Sequence, residues 1–218
     1  MEENFAIPQL TTEEIRVIGA LIEKSKTTPE TYPLTLNSLV TACNQKSARN
    51  PVVNYDEEIV VITLDSLKKK QLIGTVIGGG SRAIKYRHNL AVQFSLDAAD
   101  LAVLCLLFLR GPLTAGEINS NSGRLYEFDN LEEVQSTLRN LAEVTLPFVQ
   151  LLPKKPGQKE GRYCHLFAEI PAFDESDYSP IEPARKHVSD IENRLQTVEL
   201  ELSTLKELMK RLLDELGM

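Results

Sequence analysis

The chain contains no tryptophan, and aromatic residues make up only 6% of its 218 positions. That is a thin supply for the inter-sheet core of a β-sandwich, whereas small helical domains fill their cores with aliphatic side chains. Cysteine is scarce and odd in number. Cys43, Cys105 and Cys164 each lie in an apolar pattern without a Cys-x-x-Cys partner, so they read as buried free thiols of a reducing compartment and not as a disulfide frame. Long apolar runs are missing too: the longest, Leu101 to Leu109, falls far short of a membrane span. Met1-Glu2-Glu3-Asn4-Phe5 lacks the basic start of a signal peptide. The expected location is therefore cytoplasmic.

Catalytic signatures are absent as well. There is no Gly-x-Ser-x-Gly, His-Glu-x-x-His or Walker sequence, and the acidic residues fall on helix starts and solvated faces. Gly78-Gly79-Gly80 precedes a strand, whereas a phosphate loop needs a following helix N-terminus to supply amides and dipole. His88 and His165 have no Cys/His neighbours at metal-ligand spacing and read as core or half-buried histidines. No cofactor, no metal and no enzymatic activity are expected.

What is present is a helical chain with 42% hydrophobic residues and a formal net charge of −7. The charge is unevenly spread. Residues 1–90 carry eleven Lys/Arg against ten Asp/Glu, residues 91–170 seven against ten, and residues 171–218 six against eleven. That sum argues against a protein that coats nucleic acid, but it can hide a local basic face.

Residues 1–9 read as an N-terminal arm. Thr11 or Thr12 can cap a first helix with Glu14 in its first turn, and Ile15, Ile18 and Ile22 recur at helical spacing to about Lys26. Thr27-Thr28-Pro29 stops it, and Tyr32-Pro33 extends the chain before a second helix that buries Leu36, Leu39, Val40 and Cys43. Asn44 to Pro51 is a polar loop. A third helix begins near Asp56, buries Val60, Leu64 and Leu67, and ends in Lys68-Lys69-Lys70. Its β-branched run Ile59 to Thr63 would suit a strand, but the acid-to-base order agrees with a helix dipole. Leu72 to Ile77 and Ala83 to His88 then form a ribbon around the triple glycine, with Ile84, Tyr86 and His88 on one side and Lys85 and Arg87 on the other.

The pattern returns. Leu101, Leu104 and Phe108 match Ile15, Ile18 and Ile22 at an offset of 86; Pro112-Leu113-Thr114 matches Pro33-Leu34-Thr35 at 79, with Ile118 in the place of Leu39. Val134, Leu138 and Leu141 match Val60, Leu64 and Leu67 at 74, behind an expected Asp129…Glu132 capping box, and Arg162-Tyr163-Cys164-His165 matches Lys85-Tyr86-Arg87-His88 at 77. Four anchor sets in one order, with length changes confined to loops, indicate duplication. The fold class expected is mainly α with small β-wings (α+β): winged-helix domains over residues 10–92 and 93–168, an acidic Pro-containing linker over 169–184, and a coiled-coil helix over 185–218.

In that last segment Val188, Ile191, Leu195, Val198, Leu202, Leu205, Met209 and Leu212 alternate steps of three and four, the seam of a coiled coil. With Val188 at position a, Arg194 faces Glu199 and Glu201 faces Lys206 of a parallel partner. A homodimer is expected, the alternative being that this helix folds back onto its own domains. Replacing Leu202 and Leu205 by charged residues should give monomers in sedimentation; an unchanged mass would place the seam elsewhere.

The words Ala20-Leu21-Ile22-Glu23-Lys24-Ser25, Thr28 to Leu34, Ala42-Cys43-Asn44-Gln45-Lys46-Ser47, Arg110-Gly111-Pro112 and Pro156-Gly157-Gln158-Lys159-Glu160 resemble the YceH-like family of uncharacterised bacterial proteins, over roughly residues 10–168. The resemblance implies a tandem winged-helix fold and carries no established activity.

Two functions fit this architecture. In the first, double-stranded DNA is held by basic wings, Arg82, Lys85 and Arg87 on the first and Lys154, Lys155, Lys159 and Arg162 on the second, with backbone contacts from Lys46 and Arg49. Against groove reading stand Asp56-Glu57-Glu58 and Asp129, Glu132 and Glu133 at the starts of the third helices, where a winged helix usually meets the major groove. In the second, by analogy of fold with segregation and condensation accessory subunits, the chain is a scaffold for a protein partner.

Overall fold

The computed structural model describes residues 7–78, 81–154, 158 and 160–169, with the backbone alone at 78, 81 and 82. The linker beyond Glu169, the heptad positions of residues 185–218 and the basic candidates Lys155 and Lys159 lie outside the described residues, as does the side chain of Arg82.

The first helix, α1 (Thr12–Thr27), starts where Thr11 accepts a hydrogen bond from the Glu14 N–H at 3.3 Å while the Glu14 carboxylate accepts the Thr11 N–H at 2.8 Å. This reciprocal cap satisfies two amides that the helix itself cannot. Glu14 is almost fully buried and also accepts from Ser66 Oγ at 2.7 Å and Lys70 Nζ at 2.6 Å. One carboxylate thus starts α1 and holds the end of α3 (Glu57–Lys69). Burial pushes its pKa up, and the Lys70, Thr11 and Ser66 bonds more than offset that, leaving it below the usual value.

Between them lie β1 (Leu34–Thr35) and α2 (Leu36–Cys43), capped by the Thr35 hydroxyl. The hairpin β2 (Ile73–Gly78) and β3 (Ser81–His88) completes a three-stranded antiparallel sheet in the order β1-β3-β2, with Leu34 opposite Tyr86 and Ile73 opposite His88. The β-branched run at 59–63 is helical. It divides by period: Val60 and Thr63 are buried, Val61 and Ile62 exposed.

A five-residue helix, α4 (Leu90–Phe94), leads into α5 (Ala98–Arg110), α6 (Ala115–Ser122), α7 (Leu131–Glu143) and the small hairpin β4 (Val149–Leu151) with β5 (Tyr163–His165). Leu113 bridges Tyr163 as Leu34 pairs with Tyr86, so the order of helices and strands recurs. The result is a mixed α+β fold, about half helical with small antiparallel sheets. Among the described residues, no helix is long and apolar enough to cross a membrane.

Leu101 to Leu109 are all buried because α5 is covered on both sides, by α1 and by α6, α7 and β5. At the α1 contact Gly19 lets the backbones approach: a Cβ there would lie 2.9 Å from Leu109 Cδ2 and 3.1 Å from Phe108 Cβ. The Cys105 thiol reaches the Gly19 carbonyl at 3.5 Å. The three cysteines are free and buried, as expected, and burial raises their thiol pKa values. Phe94 of α4 meets Phe148 and Phe167 edge-on at 5.5 and 5.8 Å, and the Leu10 N–H donates to the Phe167 carbonyl.

One expected cap is corrected. The N-cap of α7 is Asn130, whose side chain accepts the Glu133 N–H at 3.0 Å, and not Asp129 with Glu132. Glu133 reaches back to the Asp129 N–H at 2.7 Å and to the Tyr126 hydroxyl at 2.8 Å, which draws the box one residue along.

Candidate nucleic-acid interface

The central strand β3 carries the candidate surface. Period-two alternation sends the side chains of Tyr86 and His88 toward the core, and the Tyr32 hydroxyl accepts the backbone N–H of His88 at 2.8 Å. Burial raises the Tyr32 phenol to about 12 and lowers His88 to about 4. His165, at the equivalent place on β5, is likewise lowered to about 4 by burial and packs edge-on against Phe108 at 4.9 Å. Both imidazoles are neutral at neutral pH, so neither contributes cationic charge to a phosphate surface.

On the outer side stand Lys85 and Arg87, half-buried and exposed respectively. Arg87 pairs across the ladder with Gly74, and a Cβ on Gly74 would come within 3.2 Å of Arg87 Nε and 3.3 Å of Asn89 Oδ1. The bare glycine leaves the guanidinium room to lie over the strand. Exposed Val76, Ile77 and Ile84 flank these cations on the same hairpin. Lys46, in the loop after α2, is exposed.

Arg49 has a different place. Its side chain is wholly buried and donates two parallel bonds to Glu23, Nη1 to Oε1 at 3.0 Å and Nη2 to Oε2 at 2.7 Å. Further bonds reach the Ala42 carbonyl and Gln45 Oε1, each at 3.0 Å, and the Ala48 carbonyl at 3.1 Å. The expected backbone contact is therefore withdrawn for this residue: its guanidinium is spent inside the fold, a geometry that a planar five-donor fork suits. Around it the loop is clasped by Asn44, whose side chain exchanges two bonds with the Tyr55 backbone at 2.7 and 2.8 Å. The Asn50 N–H donates to the Leu109 carbonyl at 2.8 Å, which ties this loop to α5.

Arg162 is also engaged. It forms a bidentate pair with Glu117 at 2.7 and 2.8 Å and donates to the Pro112 carbonyl at 2.9 Å. Lys154 is exposed beside a groove of about 470 Å³ between α7 and the second hairpin, lined also by Arg139, Gln135, Leu151 and Tyr163. Arg139 was not singled out from sequence because α7 opens with acidic residues; its signal is the helical step that places it on the exposed side with Gln135. Glu143 and Glu160 share that groove and oppose an anion there. Among the described residues no group of three or more His, Cys, Asp or Glu is placed to hold a metal.

The structure thus brings Lys85 and Arg87 together on one hairpin and leaves Lys46 exposed, while Arg49 and Arg162 are consumed by carboxylates. The residues that sequence reasoning missed are those carboxylates. Glu23 directly follows the buried stripe of α1, a position where a charge needs a partner; Glu117 was hidden by its second role, accepting the Thr114 N–H as the capping-box acid of α6.

A family model described as a protein of unknown function, DUF480, matches residues 10–158. The chain is 46% identical over 214 residues to a UPF0502 protein of Shewanella halifaxensis, covering 94% of this chain and 99% of the relative. It is 51% identical over 162 residues to a UPF0502 protein of Citrifermentans bemidjiense, covering 74% and 75%. The YceH-like resemblance points to this same family.

Proposed function

We propose that this chain, which belongs to the DUF480 family of proteins of unknown function, is a cytoplasmic, non-enzymatic tandem winged-helix protein of the DNA-binding type, dimeric through residues 185–218. The observation that carries this reading is the pair Lys85 and Arg87 on the outer side of β3, with Gly74 leaving space for the guanidinium. Phosphates would be held by the first wing and Lys46, with modest sequence discrimination, because phosphate contacts position a duplex without reading it. The acidic start of α3 argues against insertion of that helix into a groove.

The test is anisotropy of a labelled mixed-sequence duplex at about 50 and about 200 mM salt, limits between which counterion release is visible. Binding should fall steeply across that range. Replacing Lys85 and Arg87 by Ala should weaken it evenly across sequences and reduce the salt slope by about two. An unchanged slope would remove this hairpin from the mechanism.

A second reading, a scaffold for a protein partner, is favoured by the outward face of α3, where acidic residues stand beside exposed Val61 and Ile62. Absence of DNA binding at the lower salt, with a co-purifying partner, would decide for it.

A further inference from the structure

α3 turns Glu57, Glu58, Val61, Ile62, Lys68 and Lys69 outward, while Val60, Thr63, Leu64 and Leu67 are buried. Ile62 is 64% exposed and Val61 39%. This is a stripe of heptad spacing with an acidic beginning, Val61, Ile62 and the exposed Asp65 along its centre, and a basic end. Among the described residues, none of those four charges has an ion-pair partner in the chain.

The charged ends of the stripe stand at equal distances from residue 63, Glu57 and Glu58 on one side and Lys69 and Lys68 on the other. We propose that this face of α3 pairs antiparallel with the same face of a second copy, about a two-fold axis level with that residue. Glu58 then stands opposite Lys68 of the second copy and Glu57 opposite its Lys69, and the relation repeats on the other side of the axis, as an isologous contact requires. Ile62 lies one residue from the axis, so the two copies of Ile62 meet across it and cover each other. Asp65 faces Val61 of the second copy and stays within one turn of its own Lys68 and Lys69.

An acidic start and a basic end also suit a helix dipole, but the chain holds its own control. α7 occupies the same place in the second repeat, at an offset of 74, and has Gln135 and Ser136 where α3 has Val61 and Ile62. It has Ala142 and Glu143 where α3 has Lys68 and Lys69. A helix in this position therefore forms without the basic end or the apolar pair, and α7 cannot pair with itself in this way because both its ends are acidic. The contact gives α3 a role distinct from groove reading.

The test uses full-length protein carrying I62C and a bismaleimide spanning about 10 Å, the distance between packed helices. The native thiols are buried, so the probe reports this face and not association through residues 185–218. A concentration of about 100 µM is used, because one helix pair is smaller than a standard interface and holds weakly. I62C should cross-link into dimers, and S136C, its counterpart on α7, should not. Adding E57K and E58K, or K68E and K69E, should each lower the I62C yield about fivefold, an effect of like charges meeting. Combining all four should restore it. That recovery cannot come from a better helix, since the combined variant opposes the dipole at both ends. Equal yields from I62C and S136C, single swaps without effect, or no recovery in the combined variant would each overturn the proposal.

Discussion

Replacing Arg49 by Met should destabilise the protein by about 3–5 kcal/mol in urea unfolding, the range seen when one member of a buried ion pair is removed. The reason lies with the residue left behind. Glu23 is held by two Arg49 bonds and a Lys24 contact at 3.1 Å; burial pushes its carboxyl up, and Arg49 more than offsets this, so its pKa lies below the usual range. Because the folded value is lowered, the pair's contribution is fully present above the ordinary carboxylate range and is lost as pH falls through the lowered value. Without Arg49 the acid limb of the stability profile should flatten. Removing the charge on both sides, as in E23Q with R49M, should recover at least about 1 kcal/mol, since no uncompensated ion remains. The fraction that folds should bind DNA with the parent salt slope, in contrast to the Lys85 and Arg87 variant. A loss under about 1 kcal/mol for R49M would show that the pair is not what secures this loop.

Gly19→Leu should cost about 3 kcal/mol or more, at the upper end of what overpacking a core does. Even the first added carbon would stand 2.9 Å from Leu109 Cδ2 and 3.0 Å from its Cγ, and a leucine carries three more atoms into the same space. Gly19→Ala should cost much less: about 1 kcal/mol gained from helix propensity is set against shifts of the Leu109 end and of Phe108 Cβ, which stands 3.1 Å from the added carbon. The site joins α1 to α5, so helical circular dichroism and tyrosine fluorescence should report one coincident transition shifted by the same amount. Two separate transitions, or a leucine variant as stable as the parent, would show that the helices do not meet through this glycine.

The locally encoded parts of the fold were legible in the sequence. Thr11 with Glu14 announced the start of α1, the 60/64/67 spacing found the buried side of α3 through a run that β propensity would have made a strand, and the triple glycine marked the β2–β3 turn. The strand β1 and the helix α4 were not legible, because two and five residues are too few to show a period. The basic candidates divide in the same way. Alternation placed Lys85 and Arg87 on the outer side of β3 from the sequence alone, but nothing near Arg49 in the sequence names Glu23, 26 positions away.

The sequence by itself determined the order of the longer helices and of the β2–β3 hairpin, their repetition, the stripes that become buried and the family to which the chain belongs, since each is set by periodicity, capping chemistry or words of a few residues. Only the tertiary structure decided which cations remain at the surface and that α5 is covered on every side. Those outcomes depend on partners brought together across the chain: Glu23 to Arg49, Glu117 to Arg162, and Gly19 to Leu109. A charge carries the same symbol in a sequence whether it meets water or a carboxylate, and only packing settles which.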